Sequence, residues 1–171
     1  SGSTAFGYQA LSANTTGGGN VALGMNALLV STTGSSNTAV GSYALDANTT
    51  GANNTAVGAD ALSAVTTGER NSALGMNALG ASATGVTNNT ALGVNALYNT
   101  TGSSNTACGD AALYTNTSGA DNTGMGRNAL FLNTTGSANI AIGNYALDAN
   151  TTADNNVAIG YNALTAASTA A

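Results

Sequence analysis

The side chains able to do chemistry are few and far apart. Cys108 is the one thiol of the 171 residues, and no histidine or lysine is present to take its proton. A thiol is a nucleophile only as its thiolate, which needs such a partner. The plentiful Ser and Thr hydroxyls lack an activating base for the same reason. Seven carboxylates remain: Asp46, Asp60, Glu69, Asp110, Asp121, Asp148 and Asp154. Asp46 and Asp148 hold equivalent repeat positions six repeats apart. That is about 29 Å at the spacing of a strand ladder, too far for paired acid–base work. Asp121-Asn122 and Asp154-Asn155-Asn156 offer oxygens, but as isolated turns without further ligands. No cluster of His or Cys has metal-ligand spacing, and the Asp-bearing nonapeptide of calcium-binding rolls is missing. The chain reads as a non-enzyme with no catalytic site, no cofactor and no metal.

Charge narrows the partners. Two arginines, Arg70 and Arg127, stand against the seven acids, for a net charge of −5. Nucleic acid and anionic membrane surfaces both call for clustered cations, so neither is an expected partner. No run of about 18 apolar residues could span a bilayer. The residues from Ser1 onward do not read as a signal peptide, and the chain opens inside a repeat, as a processed product or fragment would.

The elements that carry these residues come from repetition. A glycine closes an Asn-x-Ala-apolar-Gly unit at Gly7, Gly24, Gly41, Gly58, Gly75, Gly93, Gly109, Gly126, Gly143 and Gly160. The gaps are 17 residues, except for 18 and then 16 around Gly93. A fixed period near 20 signals one coil stacked on the next. The expected fold is all-β: one parallel β-solenoid domain of ten coils over residues 1–171, uncapped at both ends.

Asn opens nine of the ten units, at Asn20, Asn37, Asn54, Asn71, Asn89, Asn105, Asn122, Asn139 and Asn156, with Ser3 at the first. Stacked in register, these form a ladder able to hydrogen-bond along the axis. Leu follows Ala in every coil, at Leu11, Leu28, Leu45, Leu62, Leu79, Leu97, Leu113, Leu130, Leu147 and Leu164. Alternation in Asn156-Val157-Ala158-Ile159-Gly160 puts Val and Ile on one face and Ala on the other. The expectation is a short strand with Val (or Thr) and the pre-glycine residue inward, Cys108 among them as a small buried hydrophobe. A second strand is expected over the Ala-Leu region with Leu inward. A turn over Asn-Thr-Thr-Gly follows, with its glycine at Gly17, Gly34, Gly51, Gly68, Gly85, Gly102, Gly119 and Gly136 and Ala153 as the exception. The extra residue is expected in Gly85–Asn89 and the missing one in Leu97–Thr100, where loops absorb both. Two large apolar columns per coil make a thin core. The Ala columns are small enough for another backbone to approach, which predicts lateral packing of copies. The alternative is a narrow monomer with Ala inward.

Three surface features remain. The tyrosines Tyr8, Tyr43, Tyr98, Tyr114, Tyr145 and Tyr161 are candidate surface contacts, or else partly buried across coils. Thr-Thr pairs recur in the turns and raise an ice-binding reading, with Ala83 and Ser118 as interruptions. Asn-x-Thr or Asn-x-Ser sequons occur at Asn14, Asn48, Asn53, Asn88, Asn99, Asn116, Asn133 and Asn150. They would carry glycans only in a host that glycosylates the chain.

The units Asn156-Val157-Ala158-Ile159-Gly160 and Asn139-Ile140-Ala141-Ile142-Gly143 resemble the S-V-A-I-G repeats of YadA-type trimeric autotransporter adhesin heads. The longer N-T-A-V-G-x-x-A-L-x-x-N-T-T-G pattern is similar to repeat stalks of phage tail-fibre and bacterial surface proteins. The resemblance covers essentially the whole chain. It implies a left-handed roll, three chains side by side, and an extracellular, cell-surface or virion-surface fibre or adhesin. The expected function is therefore a structural fibre or filament subunit whose partner is itself, with a host receptor or glycan as a further partner. The rival is a monomeric ice- or carbohydrate-binding solenoid.

Overall fold

A computed structural model describes residues 2–82 and 85–165. Each coil contributes one strand of three residues: β1 (Thr4–Phe6), β2 (Val21–Leu23), β3 (Thr38–Val40), β4 (Thr55–Val57), β5 (Ser72–Leu74), β6 (Thr90–Leu92), β7 (Thr106–Cys108), β8 (Thr123–Met125), β9 (Ile140–Ile142) and β10 (Val157–Ile159). All pair in parallel, in chain order, as one ten-stranded sheet. The molecule is the expected β-solenoid, with no helix among the described residues. Register sets alanine on alanine: Ala22 opposite Ala39, and Ala39 opposite Ala56.

The slip in the repeat never reaches the strands, where Ser72 faces Thr90 and Thr90 faces Thr106. Both irregularities sit elsewhere than expected. Val86, not Gly85, fills the turn-glycine place: it is buried, and its carbonyl accepts Asn71 Nδ2 at 2.8 Å, while Gly85 is exposed. The extra residue therefore lies between Ser82 and Val86. The missing one lies between Thr100 and Gly102. Thr100 takes the buried place that Asn116 holds in the next coil, and its hydroxyl accepts Asn116 Nδ2 at 3.2 Å. Ala83, and the chain from residue 166 onward, lie outside the described residues.

The strands face the opposite way from the sequence expectation. Ala22, Ala39, Ala56, Ala73, Ala91, Ala107 and Ala141 are buried, while Leu23, Leu74, Leu92 and Ile142 are 38–49 % exposed. Cys108 is half-buried on that outer column rather than interior. The cause is the width of the lumen. A Cβ built on Gly124, which stands in the alanine column of β8, would lie 3.3 Å from Leu113 Cγ. The leucine column fills the interior from the opposite wall and leaves space for little more than a methyl. Leu28, Leu45, Leu62, Leu79, Leu97, Leu113, Leu130 and Leu147 are fully buried, whereas Leu11 is partly covered and Leu164 exposed. One large apolar column, not two, forms the core. The alanines are closed inside the chain, so they cannot be the surface for lateral packing.

The Ala-Leu region is no strand. It is a succession of turns, with Ala27 N donating to Gly24 O, Leu29 N to Asn26 O and Ser31 N to Leu28 O. The third residue of the first two is left-handed, Asn26 at φ 59° and Leu28 at φ 52°, the mark of type II turns. A left-handed leucine costs about 1–2 kcal/mol, and burying its side chain returns about 1.5–3 kcal/mol. The backbone still bonds from coil to coil here: Leu28 N donates to Ala44 O at 3.0 Å, and Leu45 N to Ala61 O at 3.0 Å. A ladder persists without strand dihedrals.

The asparagine ladder forms as expected and does two jobs. Asn37 Oδ1 accepts the backbone N–H of Asn54 at 2.9 Å, and Asn54 Oδ1 that of Asn71 at 3.0 Å. From Asn20 to Asn139 each Nδ2 donates to a turn carbonyl one coil on, as Asn54 does to Gly68 O at 2.8 Å. The column thus fastens strand and turn to the next coil, inside the protein, where an unmet polar group costs most.

Two expectations test this arrangement by urea unfolding. Ala56→Val overfills the lumen and should cost about 1–3 kcal/mol, whereas Val57→Ala on the outer face should cost about 0.5 kcal/mol or less; the reverse order would return the pre-glycine column to the interior. Asn54→Ala leaves the Asn71 N–H without an acceptor and should cost about 2–4 kcal/mol.

Candidate functional site

The residues singled out for chemistry do not converge. Among the described residues no group of three or more His, Cys, Asp or Glu is assembled. Arg70 pairs with its own neighbour Glu69 at 3.4 Å, on the surface. Arg127 lies over the Tyr145 ring, 5.3 Å from its centre. Asp46 is the exception in environment. Its Oδ1 is buried without a hydrogen-bond partner, as is that of Asp148. Burial raises the Asp46 carboxyl above the ordinary range, the backbone N–H groups of Asp46 and Ala47 oppose this, and the charge of Asp60 adds to the rise.

The tyrosines divide. Tyr8 and Tyr161 stand 70 % and 73 % exposed near the ends of the described stack, and Tyr43 is exposed in coil 3. Tyr98 and Tyr114 are half-buried and stack at 5.3 Å and 14°, and Phe131 extends the pile at 5.3 Å and 15°. Tyr145 meets Tyr161 edge-on at 6.3 Å. The three stacked rings follow the leucine in successive coils. They form a column that the tyrosines alone do not reveal, because its third member is Phe131.

The turn threonines are not a free hydroxyl array. The first of the pair bonds forward along the axis at Thr15, Thr32, Thr49 and Thr134, with Thr32 Oγ1 to Thr49 O at 3.2 Å and Thr134 Oγ1 to Thr151 O at 2.8 Å. The residue before them forms a second interior polar column. Asn48, Asn116, Asn133 and Asn150 are fully buried, and Asn133 Nδ2 donates to Asn116 Oδ1 at 2.7 Å and Gly136 O at 2.8 Å. The Asn-Thr-Thr spelling read as an ordinary turn, which hid this column.

What remains distinctive is the outer strand face. Two side-chain ridges run along it. One is the residue after Asn, chiefly Thr. The other is the pre-glycine residue, continued by Met25, Met76 and Val94 just past the glycine, which are 43 %, 50 % and 39 % exposed. Between the ridges, at mid-rod, an open apolar groove of about 190 Å³ is lined by Thr55, Ser72, Thr90, Leu74 and Leu92, with Ala73 and Ala91 contributing to the lining. The alternation that identified the strands held this face too, and only the side assigned to the interior was reversed.

Comparison with family models, with characterised proteins and with solved structures finds no match.

Asp46 supplies a pH test. Its folded-state affinity for a proton exceeds that of the unfolded chain, whose carboxyl titrates near 3.8. Below that pH both states hold the proton and the group contributes no difference; as pH rises through and above it, the folded state loses stability. Asp46→Asn should therefore raise the urea midpoint at pH 7, with the gain fading as pH falls to 3.8. An unchanged midpoint at pH 7 would overturn this.

Proposed function

We propose that this chain is a structural, non-catalytic rod that associates sideways with copies of itself through the outer strand face, to build a fibre or adhesin shaft. The observation that carries this reading is the exposed apolar ridge. Phe6, Leu23, Leu74, Leu92, Met125, Ile142 and Ile159, between 38 % and 75 % exposed, lie on one side of the parallel sheet. A contiguous apolar strip on a regular surface marks a contact. The single leucine column is a thin core for so long a chain, and covering a second apolar column supplements it. Among the described residues, neither catalytic geometry nor a ligand-enclosing cavity competes with this use. The likeness of the repeat units to trimeric adhesin heads favours three chains and an extracellular site.

Light scattering on the purified chain tests the proposal, with a mass near three chains expected. Leu74→Arg places a charge on the ridge. It should weaken association at least about tenfold and leave the far-ultraviolet dichroism of the coil unchanged. A wild-type monomer at high concentration would overturn the proposal and bring forward ice or carbohydrate binding by the outward Thr column.

A further inference from the structure

We propose that Asn53 and Asn88 are N-glycan acceptor sites that stay open in the folded chain, whereas folding itself closes the sequons at Asn48, Asn116, Asn133 and Asn150. The two groups occupy different places in the coil. Asn53 and Asn88 precede the ladder asparagine, in left-handed turn conformation at φ 60° and 58°. Each is exposed, the next residue (Asn54 or Asn89) points inward, and the sequon threonine (Thr55 or Thr90) is exposed again. Alternation thus presents the acceptor amide and the threonine hydroxyl, the two groups a sequon-reading enzyme must grip, on the outside of one coil.

The reacting atom is also free. In transfer the asparagine nitrogen forms a bond to the anomeric carbon of a diphosphate-linked sugar. The bond from that carbon to the diphosphate breaks, and the amide gives up one proton. Arg70 Nε donates to Asn88 Oδ1 at 3.0 Å, which leaves the nitrogen unengaged. The side chain of Asn53 makes no hydrogen bond to a described residue. At the closed sequons the nitrogen is engaged in the core: Asn150 Nδ2 donates to Asn133 Oδ1 at 2.7 Å, and Asn116 Nδ2 to Gly119 O at 2.8 Å. A sugar on these nitrogens would occupy the space of the next coil. Glycosylation before folding and folding itself are therefore competing fates at Asn48, Asn116, Asn133 and Asn150, and compatible ones at Asn53 and Asn88. Transfer is a reaction of the free chain, since Thr55 and Thr90 stand on the face that the proposed association covers.

The test is to incubate the folded chain carrying Leu74→Arg, which is expected to keep copies apart, with UDP-glucose and a soluble sequon-recognising glycosyltransferase, and to map hexose by peptide mass spectrometry. Hexose is expected on Asn53 and Asn88, with loss of the first in Thr55→Ala and of the second in Thr90→Ala. The Gly75→Val chain serves as the unfolded control, because a Cβ at Gly75 would sit 2.4 Å from Gly93 O. It should take hexose at the closed sequons as well. Hexose on Asn116, Asn133 or Asn150 of a chain with intact strand dichroism would overturn the proposal. So would bare Asn53 and Asn88 in the folded chain when the Gly75→Val chain is modified there.

Discussion

Every coil must let the next one sit directly upon it, about 4.8 Å away, and the rest of the structure answers to that constraint. The two glycine columns are its plainest expression. A Cβ at Gly58 would lie 2.5 Å from Gly75 O, and one at Gly51 would lie 2.3 Å from Gly68 O. The first column also holds φ near +140°, where side chains are strained whatever the space. The first column admits no side chain in any coil, whereas the second gives way twice, to Val86 and Ala153. Stacking in turn brings like residues over like. That favours amides, which both donate and accept along a column, and flat rings, which pile. The asparagine ladder and the Tyr98–Tyr114–Phe131 stack are two answers to one geometric demand.

Stacking also decides what the interior can hold. A 17-residue coil with one leucine reaching across has little width left, so the small residue of each strand goes in and the larger ones go out. The result inverts the usual soluble strand, whose apolar side chains face the core. The outer face is then apolar by exclusion from the lumen, and it borders a row of threonines with their hydroxyls outward. A rod of this kind has a polar interior seam and an apolar exterior ridge. The proposed self-association rests on that inversion.

Much of this was legible in the residues. The period, the parallel in-register pairing, the inward leucine and the asparagine ladder all follow from columns that scarcely vary between coils. Alternation separates two faces of a strand but carries no sign. Naming the inner face needs the lumen width, which Leu113 against Gly124 discloses only in three dimensions. Leucine in left-handed conformation runs against intrinsic preference, so Ala-Leu read as strand when it is turn. The buried Asn48, Asn116, Asn133 and Asn150 carry the spelling of an exposed loop, and only the hydrogen bonds they donate to the preceding coil reveal the interior column. Gly85 and Asn99 carry the letters of their columns, but with one residue added and one removed the stack gives those places to Val86 and Thr100.

The inter-coil bonds also set how the rod answers force. They run along the axis, so a pull between the chain's two ends loads the interfaces in series, and an end coil, held by a neighbour on one side only, gives way first. Coils would peel one at a time, each paying out about 17 residues of chain, roughly 55 Å of new length. The molecule is soft and very extensible in that direction. A pull spread across several copies at the outer ridge would instead load many coils together, and the same bonds would then resist in parallel.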